Sequence, residues 1–253
     1  MINRIDKFNR DQIAKYFLSK APVSLRGALF KLFFNEMWHK QQEKRNSESD
    51  GYSLIPFDKH KCIFVHIPKC AGVSVSQSLF GCLAGGHMEM WKYQLIFGEK
   101  TFNEYFKFGV VRNPWDRVYS AFCFLKSGGY GSRDKKWFQE NVGDRVSFEE
   151  FVKKHLSKKH ILNKNHFSPQ VHYLRDINGT LNMDYIARFE RLSEEISVLS
   201  NRLNISSKLV RSNVTKNKMK SYNEVFSSQM IQIVADVYSE DVEILNYRFN
   251  NIQ

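Results

Sequence analysis

The nineteen residues from Cys62 to Phe80 read CIFVHIPKCAGVSVSQSLF, and they decide the fold class. A short apolar run, Cys62-Ile-Phe-Val-His-Ile, stops at Pro68 and passes through a loop that contains Lys69 and closes at Gly72. It then enters a polar-apolar helical pattern from about Val73 to Phe80. That is a strand delivering its chain into a helix. A second unit follows the same plan, with Tyr105-Phe-Lys-Phe-Gly-Val-Val as the strand and Arg112-Asn-Pro as the link. In the helix that follows, Trp115, Val118, Phe122 and Leu125 recur on one face. Asn113 is a natural N-cap and Pro114 a natural first helical residue. Apolar strands that alternate with helices predict an α/β domain with a central, mostly parallel sheet flanked by helices.

Downstream, the Gly-rich stretch from Ser127 to Ser132 reads as a mobile loop. The remainder is mainly helical, with one strand near Asp184–Arg188 and a last helix at about Ser228–Tyr238 that sets Ile231, Val234 and Tyr238 on a core face. Upstream, residues 1–57 read as an N-terminal helical appendage that ends in a polar linker (Lys40–Asp50, KQQEKRNSESD), ahead of a main domain at 58–253. The stretch from Leu25 to Phe34 (LRGALFKLFF) has apolar residues at helical spacing beside Arg26 and Lys31. It can pack on the main domain, or make peripheral contact with a membrane surface.

The 253 residues carry 38 Lys and Arg against 26 Asp and Glu, a formal charge of +12, with 42% hydrophobic and 14% aromatic residues. Such a chain is too apolar to be disordered and too poor in Gly and Pro to be fibrous, so it folds. Its positive field concentrates anions around it, without saying which. Cys62, Cys70, Cys82 and Cys123 form no CxxC pair and have no His at zinc-finger spacing, so they read as reduced thiols and no metal site is expected. No segment approaches the roughly 18 apolar residues of a membrane span, and the N-terminus lacks the apolar core of a secretory signal. The expectation is a cytoplasmic protein.

Ligands of an open parallel sheet bind beyond the carboxyl ends of its strands. Lys69 lies there with Gly72 and Ser74, where an ammonium, backbone N–H groups and a helix dipole converge on one phosphate-like anion. Arg112 and Ser120 can grip a second. A lone Lys or Arg at a strand end is usually solvated, but two such units in one sheet suit a nucleotide with phosphates at both ends of its ribose. The GxxxxGK[ST] pattern is missing, since Lys69 precedes Gly72, which disfavours an ordinary ATPase.

These residues also carry a family likeness. The run from Phe64 to Ser74 resembles the 5′-phosphosulfate loop of the carbohydrate sulfotransferases (sulfotransferase family 2), and the run from Phe106 to Ser120 resembles their 3′-phosphate motif. Gly86-His, His166-Phe-Ser-Pro-Gln and Ile186-Ala-Arg-Phe-Glu follow in the order of that family, and the likeness covers roughly residues 60–250. The resemblance implies a P-loop-like domain that moves a sulfuryl group from 3′-phosphoadenosine 5′-phosphosulfate (PAPS) to a hydroxyl of a glycan or glycolipid. By position, Pro68, Lys69, Cys70, Ala71, Gly72, Val73 and Ser74 would hold the 5′-phosphosulfate, with Lys69 also neutralising the leaving oxygen, while Arg112 and Ser120 would hold the 3′-phosphate. Cys70 and Val73 replace hydroxyls that are frequent in this loop, so Ser74 and the backbone must do more of the binding.

The acceptor hydroxyl needs a base, and a His is suited to that. His87 matches the family's histidine between the two motifs, whereas His66 reads as a packing residue, and His166 with Gln170 either lines the acceptor cleft or fixes a loop. Asp116 and Arg117 read as a structural pair, and Lys216 and Lys218 as a supplement to the 3′-phosphate site or a solvated face. Segments 127–146 and 155–175 are expected to shape the acceptor pocket. Without a signal anchor, the chain differs from animal Golgi enzymes and suggests a bacterial one. Two other classes stay open: a non-catalytic protein binding an anionic polymer or nucleic acid, and a kinase-like phosphotransferase. Nucleic acid is the less expected partner, because aromatics interleaved at RNA-module spacing are absent.

Overall fold

The structure is a computed structural model that describes residues 7–46, 52–206, 210 and 221–250. Three helices come first: α1 (Lys7–Lys20), α2 (Val23–Phe33) and α3 (Asn35–Asn46). The chain continues through α4 (Ile55–His60), β1 (Cys62–Val65), α5 (Gly72–Phe80), α6 (Met90–Phe97), α7 (Glu99–Glu104) and β2 (Phe106–Val111). Next come α8 (Pro114–Lys126), α9 (Ser132–Asn141), α10 (Phe148–Lys154), α11 (Lys159–Leu162) and α12 (Gln170–Leu174). The last elements are β3 (Tyr185–Arg188), α13 (Leu192–Leu203), α14 (Ser228–Val237) and α15 (Ser239–Ile244).

The three strands form one parallel sheet in the order β1-β2-β3. All four residues of β1 are buried, as are all but the first of β2, which is why these strands read as continuous apolar runs rather than alternating ones. Phe64 and Phe108 stack across the β1–β2 pair with centroids 5.1 Å apart. In register, Val65 pairs with Gly109 and Val111 with Arg188, so β2 carries its end past that of β1. Arg112 therefore emerges beside the Pro68–Lys69 loop.

Asn113 caps α8 as its position suggested: its side chain accepts from the N–H groups of Trp115 and Asp116, with Pro114 in the first turn. Trp115, Val118, Phe122 and Leu125 are all buried on this helix, and Val234 and Tyr238 are buried near the C-terminus. The 127–132 stretch folds into a turn held by Asp134, whose carboxylate accepts from the Tyr130 N–H at 3.2 Å.

The boundary expected at 57/58 falls inside α4, because Leu54 and Phe57 are fully enclosed in the main core. The N-terminal helices join that core too. Phe30 of α2 is completely buried and meets Trp91 of α6 edge-on at 6.0 Å, and Leu18 of α1 is buried as well. A linker was expected at 40–50, yet α3 runs to Asn46; residues 47–50 lie outside the described ones. Among the described residues no helix is long and apolar enough to cross a membrane.

Gln170 is the strut behind the strand ends. Its Oε1 accepts from the Arg112 N–H at 2.8 Å and from the Cys70 thiol at 3.2 Å, while its Nε2 donates to the Arg112 carbonyl at 2.8 Å. Asp241, itself enclosed, accepts from the backbone N–H groups of Gln170 and Val171, both at 2.9 Å. Gln170→Leu would strand these buried backbone groups, at a cost of about 3 kcal/mol. For a domain of this size that corresponds to a melting temperature lower by roughly 6–12 °C, to be read by thermal denaturation.

Candidate functional site

The loop after β1 is set by backbone conformation. Lys69 and Ala71 both adopt positive φ, 69° and 60°, and Ala71 is the N-cap of α5. This tight left-handed path turns the chain so that the first amides of α5, which have no partner within the helix, face the end of the sheet. Gly72 admits no side chain, since a Cβ there would lie 1.8 Å from Cδ2 of His66. The Cys70 thiol points away into the core, where burial raises its pKa to about 12. Its N–H is used by the Ile67 carbonyl at 3.3 Å. Cys70 thus shapes the loop from behind. Ser74 is buried on the first turn of α5, and Val73 is half-buried.

Lys69 stands at the mouth with its Nζ 3.9 Å from the ring centre of Phe124. Burial, and then the nearby Arg112, lower its pKa to about 8. An ammonium so placed lacks the counter-charge that a bound anion supplies.

Arg112 binds both halves of the site. Its Nη1 donates to the Lys69 carbonyl at 2.9 Å, its Nε and Nη2 hold Asp116 at 2.8 and 2.7 Å, and its plane lies 4.0 Å from the Phe189 ring centre. Three of five N–H groups are used, leaving two to donate. Ser120 is one turn beyond Asp116 on the same face of α8 and almost fully enclosed. Glu190, just after Phe189, accepts from the Asn113 N–H at 2.6 Å, which fixes the start of α8 against the end of β3.

The expected Asp116–Arg117 pair does not form. Asp116 turns to Arg112, four residues earlier, and Arg117 turns to backbone. With only 1% of its surface exposed, Arg117 donates to the carbonyls of Pro68 (3.0 Å), Ser168 (2.9 Å) and Asn165 (3.5 Å). It ties the 165–168 segment to the anion loop. Pro68 thereby contributes a carbonyl that holds the loop in place.

His87 sits across from the loop. It is carried by Gly85 and Gly86, both at positive φ, on a strand-like segment where Gly85 donates to the Ser53 carbonyl at 3.0 Å. Its Nδ1 lies 3.1 Å from the His66 carbonyl oxygen. A carbonyl only accepts, so Nδ1 carries the hydrogen of the neutral ring and Nε2 holds the free lone pair. His87 is exposed to the cavity, yet the protein packed around it limits its solvation and lowers its pKa against the raising effect of that hydrogen bond. A neutral imidazole with a bare Nε2 is what a general base requires.

His66 packs as expected, nearly fully buried, with its ring centre 4.3 Å from that of His87 and 5.7 Å from that of Phe64. His166 is closer to the chemistry than its sequence context settled. It is mostly enclosed against Phe124 at 5.2 Å, its pKa falls to about 3 through burial, and both His87 and Lys69 contribute to that depression. Its Nδ1 is buried with no hydrogen-bond partner.

His87 opens onto a cavity of about 780 Å³. Its walls are residues of α1, α2 and α3 with the 85–92 segment and Tyr52, while Tyr130 and His166, from the 127–146 and 155–175 segments, pack on Phe124 beside Lys69. Lys216 and Lys218 lie outside the described residues. Among the described residues no group of three or more His, Cys, Asp or Glu is placed to hold a metal ion.

A family model described as the sulfotransferase family matches residues 52–248. The chain belongs to the sulfotransferase family. An uncharacterized protein of Archaeoglobus fulgidus is 29% identical over 122 residues, which span 48% of this chain and 87% of that one. No solved structure matches. As a sulfotransferase the protein carries out sulfuryl transfer. The N-terminal helices α1–α3 precede the matched region.

Gly72 gives a direct check on the loop. In Gly72→Ala the added methyl must push the His66 ring, boxed in by Phe64 and His87, and the overpacking should cost about 1–3 kcal/mol. Denaturant unfolding should show that loss; unchanged stability would mean that the ring and loop do not abut.

Proposed function

We propose that this sulfotransferase takes its sulfuryl group from PAPS and delivers it to a hydroxyl of a glycan or glycolipid, with His87 as the general base. The observation that carries this reading is the Arg112–Lys69 link, which sets two anion-binding loops side by side with a neutral histidine opposite. PAPS supplies an activated sulfuryl group on a phosphate leaving group and brings negative charge at both ends of its ribose. The α5 amides, Lys69 and Ser74 suit the 5′-phosphosulfate, and the two spare N–H groups of Arg112 with Ser120 suit the 3′-phosphate.

In this reading His87 Nε2 accepts the proton of the acceptor hydroxyl as its oxygen attacks sulfur. Lys69 offsets the charge that grows on the departing phosphate oxygen. Arg117, fixed by three carbonyls, keeps the loop in place and adds positive potential without touching the reactants. Sulfuryl transfer to a bound hydroxyl is then a matter of alignment and charge neutralisation.

Incubation with PAPS and a panel of saccharide acceptors should release 3′,5′-phosphoadenosine. Lys69→Ala should lower that rate about 100-fold or more. His87→Ala should keep nucleotide affinity while losing about 100-fold or more in turnover. Nucleotide release equal in the wild-type chain and Lys69→Ala would overturn the reading, and full turnover in His87→Ala would remove His87 as the base.

The pH profile follows from the same two groups. His87 works neutral and its pKa lies below the ordinary 6.5, so kcat/KM should hold as pH falls to 6.5 and decline only below it. Lys69 works charged with a pKa of about 8 in the free protein, so kcat/KM should also fall as pH rises past about 8.

A further inference from the structure

The cavity at His87 has a wall that the family match does not account for, since α1, α2 and α3 precede residue 52. We propose that these helices form the acceptor site and that it takes an anionic amphiphile. The saccharide hydroxyl lies at His87, a phosphate-like group at Lys40 and Lys44, and an apolar chain across Leu32 and Phe33. The proposal rests on the sulfuryl-transfer reading of His87 and adds the class of acceptor to it.

The charges come first. Four cations line the cavity, Arg10, Lys40, Lys44 and Lys92, against two carboxylates, Asp11 and Glu36. Lys92 is already matched, its Nζ 2.6 Å from Asp11 Oδ2, and Arg10 spends one N–H on the Phe33 carbonyl at 3.1 Å. Lys40 and Lys44 stand one turn apart on α3, and no described carboxylate lies within ion-pair distance of either. Glu36, one turn before Lys40, does not reach it. Lys44 is half-buried over the Tyr52 ring, and burial together with the Lys40 charge depresses its pKa. Two like charges held together without a described counter-ion, one of them partly withdrawn from water, form a place where an anion relieves a cost already present.

Between those lysines, Gln41 turns its Oε1 to a position shielded from solvent and without a hydrogen-bond partner. A buried carbonyl oxygen left unpaired costs free energy that a ligand hydroxyl or N–H recovers. Cations and an unpaired acceptor therefore line one wall of the space that His87 faces.

The apolar part follows from α2. Its inner face holds Arg26 and Phe30 buried, while Leu32 is 74% exposed and Phe33 45% exposed, and both line the cavity. Leu25, two turns before Leu32, is also exposed, as are Ile13, Tyr16 and Phe17 on α1. Exposed aliphatic and aromatic side chains on two adjacent helices, running to the rim of a basic cavity, fit the hydrocarbon of an amphiphile whose charged head enters. A wholly soluble anionic sugar would leave Leu32 and Phe33 with nothing to cover them.

The test uses the whole chain and calorimetric titration with decyl phosphate below its micelle concentration, with inorganic phosphate, decyl maltoside and 3′,5′-phosphoadenosine as parallel ligands. Decyl phosphate should bind at least tenfold more tightly than inorganic phosphate or decyl maltoside. The double variant Lys40→Gln/Lys44→Gln and, separately, Leu32→Asp should each weaken it tenfold or more without changing 3′,5′-phosphoadenosine affinity or melting temperature. All three substituted side chains are exposed or half-exposed, so folding is not at stake. Decyl phosphate binding that is absent, indifferent to both variants, or matched by inorganic phosphate or by decyl maltoside would overturn the proposal. Failure of 3′,5′-phosphoadenosine to bind the wild-type chain would instead strike at the nucleotide reading, so the two failures are told apart.

Discussion

One guanidinium is buried with no described carboxylate in ion-pair contact, and the loops of the site are tied to it by their carbonyls. Arg117 is enclosed on α8, and its hydrogen bonds run to carbonyls of the β1 loop and of the segment before α12. Burying a cation costs several kcal/mol, and carbonyl dipoles offset only part of this. Behind their own burial, which is the larger cause, the charge of Arg117 adds to the lowered pKa values of both Lys69 and His87. With Lys69 and Arg112 it makes three cations at the sheet end, where Asp116 holds Arg112 and the carboxylates of Glu190 and Asp241 stand close by.

The same charge explains the division of labour around it. Arg112 is neutralised by Asp116 and stacked on Phe189, so it is held rigidly with N–H groups to spare. Lys69, with no such partner, keeps an adjustable charge at the mouth. His87 is kept neutral by its surroundings and given a defined tautomer by one carbonyl, and so can take up a proton where a charged histidine could not. For Lys69 and His87 the surroundings, more than the residue type alone, set where the proton is held.

What could be read from the chain was whatever depends on nearby residues. The β1 and β2 units, the Asn113 cap and the inward face of α8 follow from spacing of two to seven residues, and all appear in the structure. What escaped depends on distance along the chain. Nothing near Asp116 says that it turns back to Arg112 instead of pairing with Arg117, since that choice is made by carbonyls 48 to 51 residues away. Gln170 looks like any loop glutamine until its amide is seen bridging the Arg112 backbone 58 residues earlier. The N-terminal helices were legible as helices, but their seat against α6 and their share in the His87 cavity follow from Phe30 meeting Trp91, which periodicity cannot foresee. The nearest clue was the pair Lys40 and Lys44, and in the sequence it read as part of a polar linker.

The central claim is that the ends of β1 and β2 form one site for a nucleotide with two phosphate groups. Its most direct test is a crystal structure with 3′,5′-phosphoadenosine. The account predicts the 5′-phosphate at the first amides of α5 beside Lys69, and the 3′-phosphate on Arg112 and Ser120. A nucleotide bound elsewhere, or lying in the opposite direction across the two loops, would contradict it.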